Sequence, residues 1–346
     1  MKNKEILELK ELLFNESQPK DIVVVTHRNP DGDAYGSSLA LYHFLKQFKH
    51  KVTVISPNDC PNFLKWMPSQ EEILLFEPNI EKVTKRLAQA EIVFTLDFNA
   101  FHRTGEKMQK ALESIKPLFI MIDHHQAPDS YAKYTFSDVK KSSTSEMIFD
   151  FIEALDKKTS INKNIASCIY TGIMTDTGSF RFPSTTSRTH RITADLLEAG
   201  ADNAKIYNSV MDVNSYSRMQ LLGRALENMN VLPELKTAYI TLSQKELNQY
   251  HFEKGDTEGF VNYALSLKDI IFAVIFIEDA QQRIIKMSFR SKGDFSVNEF
   301  ARKYFNGGGH TNAAGGRSEV SLNETVKHFL SIVPKYKKEL KESYEA

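Results

Sequence analysis

The sequence predicts an α/β protein: an N-terminal parallel sheet with helices on both faces, joined by a helical linker to a smaller α/β domain. Three observations lead there. Over roughly the first 200 residues, short apolar runs alternate with helical patterns, as in a parallel sheet covered on both sides. From about residue 213 the texture changes to a long polar helix, then strands, a Gly-rich turn and a last helix. The length of 346 residues also exceeds one typical domain.

The elements follow in order. "MKNKEILELKELLF" reads as a charged amphipathic helix, with no apolar signal core and no small-residue cleavage site. "DIVVVTH" is a strand, "YGSSLALYHFLKQF" a helix, "KVTVIS" a strand and "NIEKVTKRLAQA" a helix. "EIVFTLD" is the next strand, "GEKMQKALESI" a helix and "PLFIMIDHH" a strand. Helical patterns continue at "TSEMIFDFIEAL", "NKNIASCIYTGIMTD" and "RTHRITADLLEAG". The first domain is assigned to 1–212 and the linker, "NSYSRMQLLGRALENMN", to 213–232. The second domain spans 233–346, with strands at "KTAYITLS", "DIIFAVIFIED" and "RIIKMSFRS". Its helices are "VNEFARKYF" and "NETVKHFLSIV", separated by the turn "NGGGHTNAAGG".

Composition narrows the function. The longest apolar run, "IIFAVIFI" at 270–277, suits one buried strand and is far short of a membrane span. The two cysteines, Cys60 and Cys168, sit in unrelated contexts and read as reduced, as in a cytoplasmic protein. Lys plus Arg and Asp plus Glu stand at 44 each, whereas a grip on long nucleic acid calls for a positive excess. A nucleic-acid substrate is therefore expected to be short and locally held.

Ligands of open parallel sheets bind beyond the carboxyl ends of the strands. Here one strand ends at His27, with Asp31 and Asp33 in the following loop; another ends at Asp97, a third at Asp123-His124-His125. Asp176 closes a helical segment. Each cluster alone has a plain reading. Asp31-Gly32-Asp33 suits a turn, Asp97 a helix N-cap, Asp-His-His a solvated turn and Asp176 a helix end. An EF-hand loop fails, because its twelfth position would be Ala40 where Glu is needed. Together, hard oxygen ligands and imidazoles without thiolate suit Mn²⁺ or Mg²⁺ over structural zinc. A bridging carboxylate with about three further ligands per ion would make a two-metal site, suited to in-line phosphoryl displacement. In the C-terminal part, "GGGH" frees backbone N–H groups to approach an anion, and Arg290 offers a forked phosphate donor.

"THRNPDGDAYGS", "LDFNAFHRTG", "IDHHQ" and "TGIMTDTGSFRF" resemble the four motifs of the DHH phosphoesterase superfamily. "MSFRS" and "FNGGGHTNAAGG" resemble its C-terminal DHHA1 substrate-binding domain. Size and domain pair are similar to the bifunctional oligoribonuclease and pAp phosphatase group, the nanoRNases. The resemblance implies two divalent cations, Mn²⁺ first, with Mg²⁺ or Co²⁺ as alternatives. His27 and Asp31 would hold one ion; Asp33, His124 and Asp176 the other; Asp97 would bridge them. Asp123 would orient a ligating histidine from behind, and His125 would face the scissile phosphate as charge stabiliser or proton donor. Arg290 would pair with a substrate phosphate, and Gly307, Gly308, Gly309 and His310 would contact the terminal nucleotide. One departure is Asn306, where family members often carry a fourth glycine; asparagine tolerates left-handed geometry. For Arg103 and Arg181, beside the motifs, phosphate, surface and salt-bridge roles all stay open.

The expected activity is two-metal hydrolysis of short oligonucleotides to 5′-mononucleotides and of pAp to AMP, with no long duplex and no membrane as partner. A homodimer is compatible with the sequence. The alternative within this chemistry is cleavage of cyclic dinucleotides or their linear pNpN products. A non-catalytic nucleotide sensor would predict a missing ligand, and none is missing. The family's pyrophosphatases use a different C-terminal domain, so "GGGHTNAAGG" argues against that activity.

Overall fold

The computed structural model describes residues 3–15 and 18–345, and the chain divides into two compact units, Met1–Val213 and Asn214–Ala346. The first unit opens with α1 (Asn3–Leu13), β1 (Asp21–Val25), α2 (Gly32–Lys46), β2 (Lys51–Ser56), β3 (Leu74–Leu75), α3 (Ile80–Ala88) and β4 (Ile92–Leu96). It continues with α4 (Glu106–Glu113), β5 (Leu118–Asp123), β6 (Tyr134–Ser137), α5 (Thr144–Ala154), α6 (Lys163–Asp176), α7 (Ser187–Glu198) and α8 (Asn203–Met211). The first two residues of the expected N-terminal helix lie outside the described ones.

All neighbours in the six-stranded sheet β3-β2-β1-β4-β5-β6 are parallel. Such strands are buried on both faces, so their alternate residues feed two cores. Ile22, Val24, Phe94 and Ile120 belong to the core with α1, α2, α5 and α6; Val23, Val25, Val93 and Phe119 to the core with α3 and α4. Each such side chain contributes roughly 1.5–3 kcal/mol relative to exposure. This is the two-sided cover that the sequence alternation predicts. Strand order reverses between β1 and β4, so crossovers leave in opposite directions and a crevice opens beyond their carboxyl ends.

Short elements escaped the sequence reading. β3 and β6 are too brief for a periodic signal, and the nine-residue α8 went unread although left-handed Gly200 ends α7 and Asp202 caps α8. Helix α2 also starts at Gly32 rather than Tyr35, because Asp31 caps it by accepting the Asp33 and Ala34 N–H groups. Asp33 therefore lies in the first helical turn and not in a loop.

The second unit begins with α9 (Tyr216–Glu227), β7 (Asn230–Leu232), β8 (Thr237–Leu242), α10 (Gln244–Gln249), α11 (Phe260–Leu265), β9 (Phe272–Asp279) and β10 (Ile284–Ser291). It ends with α12 (Val297–Tyr304), β11 (Gly308–His310), β12 (Ala313–Ser318), α13 (Leu322–Ile332) and α14 (Lys337–Glu345). Its sheet runs β11-β12-β10-β9-β8-β7; β8 and β9 are parallel and the other neighbours antiparallel. Phe272, Phe289, Phe300 and Phe329 fill one core. The linker helix α9 buries Leu221, Leu222 and Ala225 in another, with Ile240, Phe260 and Ile275. "NGGGHTNAAGG", expected as a turn, is folded largely into the β11–β12 hairpin. Asn306 does adopt left-handed geometry, with φ of 44°.

Candidate active site

The carboxyl edge of the parallel sheet gathers the predicted acids and histidines. His27 lies two residues beyond β1, Asp97 one beyond β4, and Asp123 ends β5 with His124 and His125 following. Asp97 is no helix N-cap. Its φ is 64°, a left-handed kink uncommon outside glycine, and its N–H still donates to the Ile122 carbonyl at 3.2 Å. Asp176 is the last residue of α6.

Two groups that could hold a metal ion lie around Asp97. His27, Asp31 and Asp97 offer atoms within 4.8 Å of one another, and so do Asp33, His124 and Asp176. His27 Nε2 is 3.3 Å from Asp97 Oδ2. His124 Nε2 is 3.5 Å from Asp176 Oδ2, 3.6 Å from Asp97 Oδ1 and 3.9 Å from Asp33 Oδ2. The two oxygens of Asp97 thus face different groups. Behind the rings, His27 Nδ1 meets the Arg28 carbonyl at 3.0 Å and His124 Nδ1 the Lys141 carbonyl at 3.3 Å. Holding Nδ1–H on a carbonyl leaves Nε2 as the ring nitrogen able to ligate.

Asp123 is held differently from the expectation. Its carboxylate accepts the His125 N–H at 3.0 Å and faces His125 Nδ1 at 2.7 Å, so the ring it orients is that of His125, while the Nδ1 atoms of His27 and His124 meet backbone carbonyls. The grouping of Asp97, Asp123 and His125 contains this pair.

The electrostatics call for cations. Asp33, Asp97 and Asp123 are buried, and among the described residues no lysine or arginine pairs with them or with Asp176. Burial raises the Asp33 carboxyl well above its ordinary value, and the charges of Asp97 and Asp176 raise it further. Burial likewise pushes Asp176 up to about 7 against the pull of His124. Burial would lower His27, but its hydrogen bond to Asp97 and the charges of Asp31 and Asp97 raise it to about 9. Burial would also lower His124, and Asp176 and Asp97 raise it. Burial alone would raise Asp97; His27 above all holds it below the usual carboxylate range. Without metal, protons held on Asp33, Asp176 and His27 offset part of the cluster's negative charge. A donor set of carboxylates and Nε2-presenting imidazoles fits two hard divalent cations.

Sequence reasoning missed the support for this set. Asp33 accepts the N–H groups of Thr144 at 2.6 Å and Ser145 at 2.8 Å, at the positive N-terminus of α5. The Thr144 hydroxyl donates to Asp97 Oδ1 at 3.0 Å. Gly172 on α6 makes room for this: a Cβ there would lie 1.9 Å from Ser145 Oγ and 2.9 Å from Asp33 Oδ1. The one available signal was the cap-like "SSTSE" at 142–146, which reads as an ordinary helix start.

The second unit places Arg290, Ala313 and His310 on one rung of β10-β12-β11, so Arg290 and His310 share a sheet face. Burial lowers the Arg290 guanidinium, and Glu258 opposes this. Gly307, Gly308 and Gly309 precede His310, but they do not form a cradle of open amides. Gly307 N–H donates to the Ala301 carbonyl at 3.2 Å and Gly309 N–H to Asn298 Oδ1 at 3.0 Å. The glycines serve close approach: a Cβ on Gly307 would sit 2.0 Å from the Gly315 carbonyl oxygen.

The chain matches the DHH family N-terminal domain over residues 21–173 and the DHHA1 domain over 236–339. It is 30% identical to the bifunctional oligoribonuclease and PAP phosphatase NrnA of Thermus thermophilus, covering 90% of this chain and 89% of that protein. The crystal structure of an exopolyphosphatase-related protein from Bacteroides fragilis superposes with a TM-score of 0.94 at 40% identity, covering 98% of each chain. RecJ of Thermus thermophilus, solved in complex with Mn²⁺, shares the fold at a TM-score of 0.56 and 15% identity, over 97% of this chain and 54% of that one. Both halves and nearly the whole length being matched, the chain belongs to the DHH family and is a DHH–DHHA1 phosphoesterase.

Proposed function

We propose that this phosphoesterase acts on small nucleotidic substrates, releasing 5′-mononucleotides from very short oligonucleotides and converting pAp to AMP. The observation that carries the reading is the split of Asp97, Oδ2 toward His27 and Oδ1 toward His124, between two otherwise separate ligand groups. His27 and Asp31 would hold one divalent cation, Asp33, His124 and Asp176 a second, and Asp97 both. Bound there, the cations would supply Lewis acidity and a hydroxide nucleophile at neutral pH. His125, fixed from behind by Asp123, would stabilise the reacting phosphoryl group or donate to the leaving oxygen. Arg290 and His310, on a shared face of the second unit, would hold a substrate phosphate and the terminal nucleotide, with Gly307, Gly308 and Gly309 setting the backbone beneath. Full-length similarity to an oligoribonuclease and pAp phosphatase supports the nucleotide preference.

The test is purified protein with Mn²⁺ assayed against pAp, 5′-phosphorylated two- to five-mers, linear and cyclic di-AMP, and tripolyphosphate. Turnover of pAp and the shortest oligomers is expected, abolished in Asp97→Ala. Tripolyphosphate, suggested by similarity to the exopolyphosphatase-related protein of Bacteroides fragilis, would replace the nucleotide reading if it were the preferred substrate.

A further inference from the structure

Arg181 follows the last metal-capable acid by five residues, and among the described residues no carboxylate lies within ion-pair distance of it. What its guanidinium meets is the ring of Phe182, 5.4 Å from the ring centre. Both side chains are exposed. They stand on an uncommon turn. Gly178, Ser179 and Phe180 have φ of 56°, 60° and 66°, three left-handed residues in succession. That conformation costs an L-residue roughly 1–2 kcal/mol, so Ser179 and Phe180 sit there only because the surroundings impose it.

The constraints are specific. The Arg181 and Phe182 N–H groups donate to the Thr177 carbonyl at 2.9 and 3.0 Å, and the Phe180 N–H to the Thr177 hydroxyl at 2.9 Å. Thr177 is fully buried, its hydroxyl donating to the Ile173 carbonyl at 2.6 Å. The Phe180 ring anchors the turn, 5.9 Å from Tyr170 and 5.7 Å from His190. A Cβ on Gly178 would come 2.6 Å from the Phe182 ring, so glycine alone lets that ring lie across the turn. The left-handed turn brings Arg181 back beside Thr177, the neighbour of Asp176.

We propose that Arg181 and Phe182 form a substrate subsite beside the metal centre, the guanidinium taking a non-reacting phosphate and the ring stacking on the adjoining base. The inference rests on the nucleotide reading above for the base, and only on a second phosphate for Arg181. A forked donor suits phosphate oxygens, and an aromatic face beside a cation accepts any base.

The test is full-length protein with Mn²⁺ hydrolysing bis(p-nitrophenyl) phosphate, inhibited competitively by pAp or by tripolyphosphate. Arg181→Ala should raise both inhibition constants about tenfold, with Arg181→Lys recovering part of the loss. Phe182→Ala should raise the constant for pAp about fivefold and leave tripolyphosphate unaffected. The kcat on bis(p-nitrophenyl) phosphate and the Mn²⁺ affinity should stay within about twofold in all three variants, since neither group touches the ligand set. Unchanged inhibition constants in Arg181→Ala, or a loss of Mn²⁺ affinity matching the loss of inhibition, would overturn the subsite. Failure of the nucleotide reading shows separately, as wild-type protein that leaves pAp and oligomers intact; the tripolyphosphate constants still decide Arg181.

Discussion

Thr144 serves both carboxylates at the centre of the site, its N–H to Asp33 at 2.6 Å and its hydroxyl to Asp97 at 3.0 Å. The first bond belongs to the backbone and survives substitution; the second does not. Thr144→Val keeps the shape and removes a hydrogen bond to an ionised group, and such supporting contacts govern ligand affinity by about 10–100-fold. Mn²⁺ titration should show that loss, and Thr144→Ser should restore most of it; an equal loss in both would make the role one of packing. Protons compete for the same atoms. A raised value means the folded chain holds its proton more tightly than the unfolded chain, so that stabilisation is present at low pH and lost on alkalinisation. For Asp176 the loss runs from 3.8 to about 7, and for His27 from 6.5 to about 9. The melting temperature of metal-free protein should therefore fall as pH rises from 6.5 to 9, while excess Mn²⁺ removes the fall and its affinity tightens over that range. Parallel melting curves with and without Mn²⁺ would count against these groups as ligands.

At the scale of elements, the site depends on how closely α2, α5 and α6 approach. Asp33 on α2 reaches the first amides of α5, and Gly172 on α6 faces both. Gly172→Ala adds a methyl 2.6 Å from Ser145 Cβ, a contact no rotamer relieves, so the helices must separate. Better helix propensity returns up to about 1 kcal/mol, while overpacking costs roughly 1–3 kcal/mol, so net destabilisation is expected. Urea denaturation of Gly172→Ala, and of the double variant with Ser145→Gly, checks this. Recovery in the double variant identifies the clash; simple additivity refutes it. The helix start is itself braced, Glu146 accepting from Ser142 at 2.6 Å and Thr189 at 2.8 Å, with Lys141 Nζ at 3.3 Å.

At the scale of the whole molecule, the hydrophobic clusters separate by unit. Those of the first unit end at Val210 and Met211, and those of the second begin at Leu221. Each unit has its own core, which is the physical condition for independent folding. Fragments 1–213 and 214–346 should each unfold cooperatively by circular dichroism, and only the first should bind Mn²⁺ with high affinity. Binding by the second fragment instead would move the metal centre. Among the described residues no helix is long and apolar enough to cross a membrane.

The acids and histidines were legible one by one, because most sit where a recognisable strand or helix stops, and Asp31 and Asp33 sit where the helix after β1 starts; a parallel sheet sends these points to one edge. The two-sided sheet was legible for the same local reason, apolar runs of strand length alternating with helical periods. What the sequence could not show is which partner each side chain takes. Asp123 holding His125, Thr144 and Ser145 holding Asp97 and Asp33, and Gly172 making way for them link positions far apart in the chain. The glycines of "GGGH" likewise read as an open anion cradle, until residues of α12 took the amides of Gly307 and Gly309. Periodicity and turn chemistry are written into neighbouring residues, whereas ligand pairing, amide occupancy and close helix approach are decided only when distant segments pack.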